Sequence, residues 1–263
     1  MRTLTLAYSD DADDAAMFLA MIRGEITVPG VRFEHVRSDI ATLNALAEKG
    51  GADVCAVSVA WVPRVAAQYD LLPHGGSVGR GYGPVVVAKR PDAPMRRVGV
   101  PGLSTTASAV LKMAAPEAEL VPMVGALLAD TIGALDREEI DAAVLVHEGR
   151  LVYQQAGLHL LLDLGVWWEK ETGLPLPLGA NVIKRDLGPE LIAQLTDAIG
   201  RSIQWAVDNR DVVLDELAPH GMERGLDRAG LAHYLDLYAN DDTVGYDETC
   251  QRAITELLGR IGG

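Results

Sequence analysis

The sequence predicts an α/β protein of two lobes, with mainly parallel sheets and a helical C-terminal section. Short apolar runs alternate with helical patterns from the N-terminus to residue 165, and this alternation restarts after the turn segment PDAP (91–94). Beyond residue 188 the pattern is helical almost throughout. Such alternation is typical of βαβ units, in which crossover helices join parallel strands. The restart therefore indicates two such units rather than one.

The first unit contains short apolar runs that are either continuous or alternate at period two, as buried strands do. We predict its strands at 3–9, 31–37, 53–60 and 85–90. Its amphipathic segments predict helices at 15–24 and 40–50, each with a glycine at its end.

The second unit repeats the pattern. Its strands are predicted at 96–102, 119–123, 141–147 and 159–165, and its helices at 105–115 and 124–138. An extended segment, LPLPLGANVIKR (174–185), predicts a strand that returns to the first lobe. The final helices are predicted near 188–208, 210–219, 227–239 and 246–261.

These elements predict one larger, discontinuous lobe (1–91 with 178–263) and one smaller lobe (92–177). Ligands of open α/β sheets bind at the carboxyl ends of the strands, so a ligand cleft is expected between the lobes. This is the layout of a periplasmic-binding-protein fold of type II.

Composition excludes several classes of function. The formal net charge is −14 and no cluster of five basic residues occurs, which argues against a nucleic-acid or anionic-membrane partner. The two cysteines, Cys55 and Cys250, have no metal-binding spacing. The N-terminus does not resemble a signal peptide, and no apolar stretch is long enough for a membrane span, so we expect a cytoplasmic protein.

His147 ends the apolar run DAAVLVH and is the first candidate for chemistry. A zincin would need a second histidine four residues later, where Leu151 stands, and a G-x-S-x-G hydrolase motif is absent. A histidine at a strand end can act as a general base near neutral pH, or it can be purely structural. Glu148 could orient the ring or bind a substrate hydroxyl.

Three further segments carry polar residues at element ends. In GLSTTAS (102–108) a hydroxyl caps the next helix or, alternatively, the helix start holds a substrate carboxylate. The acids of SDDADDAAMF (9–18) are expected to be mostly solvated, although Asp14 could accept hydrogen bonds from a ligand. The glycines of 75–84 precede a strand and predict a flexible segment between the lobes, or a turn, rather than a phosphate loop. For Trp167 and Trp168 we expect core positions.

Several of these segments together resemble one enzyme family. They are GRGYGPVVVAKR (79–90), VPGLSTTAS (100–108), the long run from Ala143 to Gly188 that contains His-Glu-x-Arg, Asp-Leu-Gly-x-Trp-Trp and Gly-Leu-Pro-Leu-Pro-Leu-Gly, and RSIQWAVDN (201–209). In this combination the chain resembles 1,4-dihydroxy-6-naphthoate synthase of the futalosine route to menaquinone, over nearly its whole length.

The resemblance implies a lyase that converts cyclic dehypoxanthinyl futalosine to 1,4-dihydroxy-6-naphthoate, with no metal and no cofactor. It implies that His147 is the general base and that Thr105, Thr106 and Ser58 bind the carboxylate and hydroxyls of the substrate. It further implies that Asp14 and Asn44 hold the sugar-derived hydroxyls.

The first loop departs from the family pattern. That pattern resembles Ser-Pro-x-Pro-Asn/Asp-Asp-x-Phe, whereas this chain has Asp10 and Ala12 in place of the prolines and Ala16 in place of the aromatic residue. Ala56 stands where members often carry lysine. These departures leave the substrate preference open.

Two other functions fit the same architecture. One is a solute-binding protein without catalysis, and the other is the sister enzyme chorismate dehydratase. The expected partner in all cases is a small molecule, and both a monomer and a homodimer remain open.

Overall fold

The computed structural model describes residues 1–262. The strands are β1 (Arg2–Ser9), β2 (Val31–Ser38), β3 (Val54–Ser58), β4 (Tyr69–Leu71), β5 (Ser77–Gly79), β6 (Val85–Ala88), β7 (Arg97–Val100), β8 (Glu119–Pro122), β9 (Ala142–Leu145), β10 (His159–Asp163) and β11 (Leu176–Lys184).

The helices follow the pattern expected from the sequence, with several short additions. They are α1 (Ala12–Ile22), α2 (Ile40–Glu48), α3 (Val62–Val65), α4 (Thr106–Ala114), α5 (Leu128–Asp136), α6 (Gly149–Val152), α7 (Leu164–Thr172), α8 (Pro189–Asp208), α9 (Arg210–Glu223), α10 (Arg228–Tyr238), α11 (Asp241–Val244) and α12 (Glu248–Gly262). Short 3₁₀ turns lie at Val59–Trp61 and Arg185–Leu187.

Two sheets form the two lobes. The first has the strand order β2-β1-β3-β11-β4, with β5 also paired to β11, and the second has the order β10-β6-β9-β7-β8. The α/β fold of two lobes is therefore as predicted, but the sheets are mixed. Pairs among β1, β2 and β3 and among β7, β8 and β9 are parallel, whereas β6, β10 and β11 pair antiparallel to their neighbours.

The strand β6 lies in the second sheet, between β9 and β10. The sequence assigned this strand to the first lobe, because the turn segment after it looked like the boundary. That assignment is wrong for β6: the chain crosses between the sheets before the strand, between Gly79 and Val85, and returns near Leu176.

Each lobe has its own core. In the first lobe β1 and β3 pack against α1 and α8 through residues such as Leu6, Phe18, Val54 and Ile199, all fully buried. In the second lobe Val98, Leu111 and Trp168 form the centre, and α12 adds Leu257 to it. The last helix, which the sequence placed with the first lobe, thus contributes to the core of the second.

Trp168 is completely buried, as expected, and its indole nitrogen donates to the carbonyl of Pro175 at 3.0 Å. Its neighbour Trp167 is only partly buried. No helix among the described residues is long and apolar enough to cross a membrane.

Candidate active site

His147 closely follows the strand β9 and lies at the boundary between the two lobes. The strand itself is buried, and the chain turns sharply after it because His147 adopts a left-handed backbone conformation, with φ of 50°. Among residues other than glycine, histidine is one of the few that are enriched in this left-handed conformation. The turn leaves the imidazole 31% exposed and directs it toward the first lobe.

Both ring nitrogens of His147 contact residues of the first lobe. Nε2 lies 3.2 Å from Oδ2 of Asp11, which directly precedes α1. Nδ1 lies 3.3 Å from the hydroxyl of Tyr234, which is on α10. The imidazole therefore bridges the lobes at the cleft.

The acids of the first loop are not solvated, and this expectation was wrong. Asp11, Asp13 and Asp14 are 8%, 3% and 7% exposed, and only Asp10 of the four points to solvent, where it pairs with Arg37 at 2.8 Å. They are buried because the N-terminus of α1 faces the cleft rather than the outer surface.

Each buried acid has partners of its own. Asp13 accepts hydrogen bonds from the hydroxyls of Tyr234 and Ser77, both at 2.8 Å. Asp14 accepts a hydrogen bond from the backbone N–H of Ser9 at 2.6 Å. These contacts fix the loop against β5 and α10.

Burial and mutual repulsion disturb the ionisation of this cluster. Burial, followed by the charges of Asp13 and Asp11, raises the pKa of Asp14 to about 7. Burial also raises the pKa of Asp11, although the neighbouring His147 opposes this. For His147 itself burial alone would lower the pKa, but the surrounding acids raise it above its ordinary value.

Glu148 follows His147 in the chain, and it is not among the residues that line the cleft. It is 3% exposed, and its carboxylate stands 3.6 Å from the guanidinium of Arg224 and 3.8 Å from His220 Nε2. Burial favours its neutral form, but His220, His147 and Arg224 hold the pKa of Glu148 below its ordinary value. Its charge thus acts on the His147 ring although its side chain does not line the cleft.

The cleft brings together most of the residues expected at a substrate site. Asp14, Ser58, Thr105, Thr106 and His147 all line it. The sequence did not single out several others on the same wall: Ser9, Asp13, Ile40, Ser77, Leu178 and Tyr238.

Thr105 and Thr106 begin α4 at the floor of the cleft. Thr105 caps the helix, because its hydroxyl accepts a hydrogen bond from the N–H of Ser108 at 3.2 Å. The Thr106 hydroxyl donates to the carbonyl of Leu178 at 2.7 Å and accepts from the N–H of Ala60 at 3.2 Å. The capping role is confirmed, while binding of a substrate carboxylate stays a prediction.

Asn44 is completely buried beneath the floor and does not reach the wall. Its carbonyl accepts from the N–H of Ser58 at 2.9 Å, and its amide donates to the carbonyl of Ser104 at 3.0 Å. Because Ser58 belongs to the first lobe and Ser104 to the second, Asn44 joins the lobes and orients Ser58.

The donor atoms of Asp11, Asp13 and His147 lie within 4.8 Å of one another, close enough in principle to share a cation. Each of these side chains already has a hydrogen-bonding or ionic partner within the protein. The guanidinium of Arg224 also supplies positive charge 3.5 Å from Asp11. Asp11, Asp13 and His147 are thus joined to one another and to Tyr234, Ser77 and Arg224 by contacts within the protein.

The sequence could not have shown the partners of His147. Tyr234 is 87 residues from His147 in the chain and 221 residues from Asp13, and only folding brings α10 to both of them. One signal was available: a run of acids directly after a buried strand stands at the carboxyl edge of a sheet, where cleft residues occur.

The fold and the cleft between its lobes define a protein of the periplasmic-binding-protein architecture. A structure from Candida albicans described as having the generic periplasmic binding protein fold matches with a TM-score of 0.72 at 13% identity, covering 100% of this chain and 90% of that one. At this identity the likeness concerns the fold alone.

The chain belongs to the family described as Menaquinone biosynthesis, whose model matches residues 4–262. A relative from Streptomyces coelicolor, named 1,4-dihydroxy-6-naphthoate synthase, is 37% identical over 98% of this chain and 92% of its own length. A relative of the same name from Thermus thermophilus is 36% identical over 98% of this chain and 93% of its own. A solved structure from Archaeoglobus fulgidus is 38% identical and superimposes with a TM-score of 0.92, covering 99% of this chain and 97% of that one.

Proposed function

We propose that this chain is a 1,4-dihydroxy-6-naphthoate synthase, a carbon–carbon lyase that acts on cyclic dehypoxanthinyl futalosine. The observation that carries the choice of reaction is the similarity to two enzymes of that name over 98% of the chain. The cleft supports it, because a histidine stands opposite hydroxyls and carboxyls that suit a polyhydroxylated substrate.

In this proposal His147 removes a proton from the sugar-derived part of the substrate. Cleavage of a carbon–carbon bond follows, and aromatisation of the ring drives it, so the protein has to supply a base and orientation. Ser58, Thr105 and Thr106 bind the carboxylate and hydroxyls of the substrate, and Asp14 accepts from its hydroxyls.

Glu148 and Asn44 act indirectly in this mechanism. Glu148 is separated from the cleft and stabilises the cationic form of His147 by its charge. Asn44 holds Ser58 in place through its backbone N–H. Neither touches the substrate.

A product assay tests the proposal. The wild type and His147→Asn are incubated with cyclic dehypoxanthinyl futalosine, and product is measured by chromatography with mass detection. Asparagine tolerates the left-handed backbone at this position, so the variant removes the base without straining the turn. We expect product from the wild type and a loss of about 10²- to 10⁴-fold in kcat for the variant.

His159→Gln is the matched control, because this histidine is exposed on β10 and lies outside the cleft. It should turn over at the wild-type rate. Equal rates for wild type and His147→Asn would remove His147 from the role of base while leaving the enzyme. Tight binding of the intact compound by wild type, without product, would place the protein among solute-binding proteins instead.

A further inference from the structure

The contacts of the His147 ring favour its protonated form. The Tyr234 hydroxyl donates its proton to Asp13, which leaves its oxygen to accept from Nδ1–H of His147 at 3.3 Å. On the other side of the ring, the carboxylate of Asp11 lies 3.2 Å from Nε2, where a negative charge stabilises the imidazolium. Each contact thus favours a proton on the ring nitrogen that it faces.

The charged and titratable groups around the ring come from each element that packs near it. They are Asp11, Asp13 and Asp14 from the first loop and α1, Tyr234 from α10, Glu148 beside the ring, and Arg224 and His220 at the end of α9 beyond Glu148 and Asp11. The acids outnumber the cations. Among them Asp11 makes the direct ionic contact with the ring.

Asp11 lies in the first loop and is the N-cap residue of α1, which begins at Ala12. Its backbone conformation is extended, and its side chain makes no capping hydrogen bond to the helix. The carboxylate is therefore free of a capping role and makes its contact with His147 instead.

We propose that Asp11 is a positioning residue that holds His147 protonated and turned toward the first lobe. This inference rests on the proposed function: His147 becomes a base only when its contact with Asp11 breaks. The proton on Nε2 then leaves to solvent water, and the freed lone pair accepts the proton of the substrate. Asp11 thereby sets the lower pH limit of the reaction.

The sign of the effect follows from the charge. A neighbouring anion favours the imidazolium, so removing it lowers the pKa of His147 and lets the neutral base form at lower pH. In Asp11→Asn the acidic limb of kcat/KM should move to lower pH by about one unit, the low end of what an opposite charge at this distance produces. Asp11→Glu restores the charge and should return the limb toward the wild-type position.

The experiment reads the ring directly as well as the activity. The imidazole proton signals are titrated by NMR in wild type, Asp11→Asn, Asp11→Glu and Asp10→Asn, and the signal of His147 is assigned by its loss in His147→Asn. Asp10→Asn is the matched control, because Asp10 is exposed in the same loop and pairs with Arg37 and Arg224 but does not touch the ring. kcat/KM is measured across the same pH range.

The expected result is a His147 pKa above the ordinary histidine value in wild type, lowered in Asp11→Asn and unchanged in Asp10→Asn, with the acidic limb following it. An unshifted titration in Asp11→Asn would overturn the proposal whatever the activity shows. A pKa of His147 below the ordinary histidine value in wild type would also overturn it, and that measurement does not depend on whether any variant folds. A shifted titration without any product from wild type would retain the Asp11 contact and refute the lyase function.

Discussion

Asp14 shows how a single buried carboxyl can make the stability of the fold depend on pH. Its pKa is raised from 3.8 to about 7, because burial and the charges of Asp13 and Asp11 penalise its ionised form. A carboxyl whose pKa is higher in the folded state loses stabilisation as it ionises. Folding is therefore favoured at low pH and weakened as the pH rises from about 4 to about 7.

Asp14→Asn should remove this dependence. The asparagine carbonyl can still accept from Ser9, but the residue no longer ionises. Relative to the variant, we expect the free energy of unfolding of wild type to fall by up to about 4 kcal/mol between pH 4 and 8. Urea unfolding across that range checks it, with Asp92→Asn as an exposed control. If the free energy of unfolding changed with pH in the same way in wild type and Asp14→Asn, this would contradict the raised pKa of Asp14.

At the residue scale the sequence located His147 but not its surroundings. His147 could be found because it closely follows a buried strand, and Ser58, Thr105 and Thr106 likewise stand where elements begin or end. Asp11 could not, because spacing alone does not distinguish a buried acid from a solvated one. Its burial depends on which way α1 faces, and tertiary packing decides that.

At the element scale the crossing between the lobes is built around two glycines. The segment between β5 and β6 passes the N-terminus of α7 so closely that a Cβ on Gly83 would lie 2.6 Å from the backbone nitrogen of Gly165. A Cβ on Gly165 would overlap the carbonyl of Tyr82. Both obstacles are backbone atoms, which cannot rotate away as a flexible side chain can.

Gly165→Ala should therefore destabilise the protein by about 2–3 kcal/mol, since the crossing segment has to shift. Gly259→Ala is the matched control: this glycine is an exposed position of α12 with no atom near its Cβ, so alanine should stabilise by about 0.5–1 kcal/mol. The two free energies of unfolding, measured by urea denaturation, should have opposite signs. Equal changes in the free energy of unfolding for the two variants would show that the close approach of the backbone at Gly165 does not affect stability.

The sequence missed α7 although it contains both tryptophans of the family motif. Leu164–Thr172 has a glycine as its second residue and no clear apolar stripe, because Trp168 is buried while Val166 is exposed. The strands β4 and β5 have three residues each, too few for a period to be read. By contrast the long periodic helix α8 agrees with its predicted bounds within one residue.

At the scale of the whole molecule, the alternation of strands and helices was enough to predict two lobes with a cleft. The mixed pairing was not predictable, because β6 and β11 are apolar runs that read alike in parallel and antiparallel sheets. Long-range packing also decides that β6 and α12 contribute to the second lobe and not to the first. Mixed pairing and lobe membership leave no local pattern in the sequence.

The lobes are closed in this structure. Asn44 hydrogen-bonds across the floor, His147 bridges the mouth to Asp11, and Asp14, Ser58 and Thr105 are each less than 10% exposed. Separation of the lobes would open a path for a substrate to groups this deeply buried. We therefore expect the free protein to open about the segments that cross between its lobes and to close again on the ligand.

Small-angle X-ray scattering should show this motion. The radius of gyration of the free protein should exceed the value calculated from the closed structure and fall to that value when cyclic dehypoxanthinyl futalosine is added to His147→Asn, which binds without turnover. Asp11→Asn lacks one ionic bridge between the lobes, so its free form should be at least as open as wild type. A free protein that already matches the closed value, and does not change with ligand, would require a local entry route instead, with the first loop alone moving away from His147.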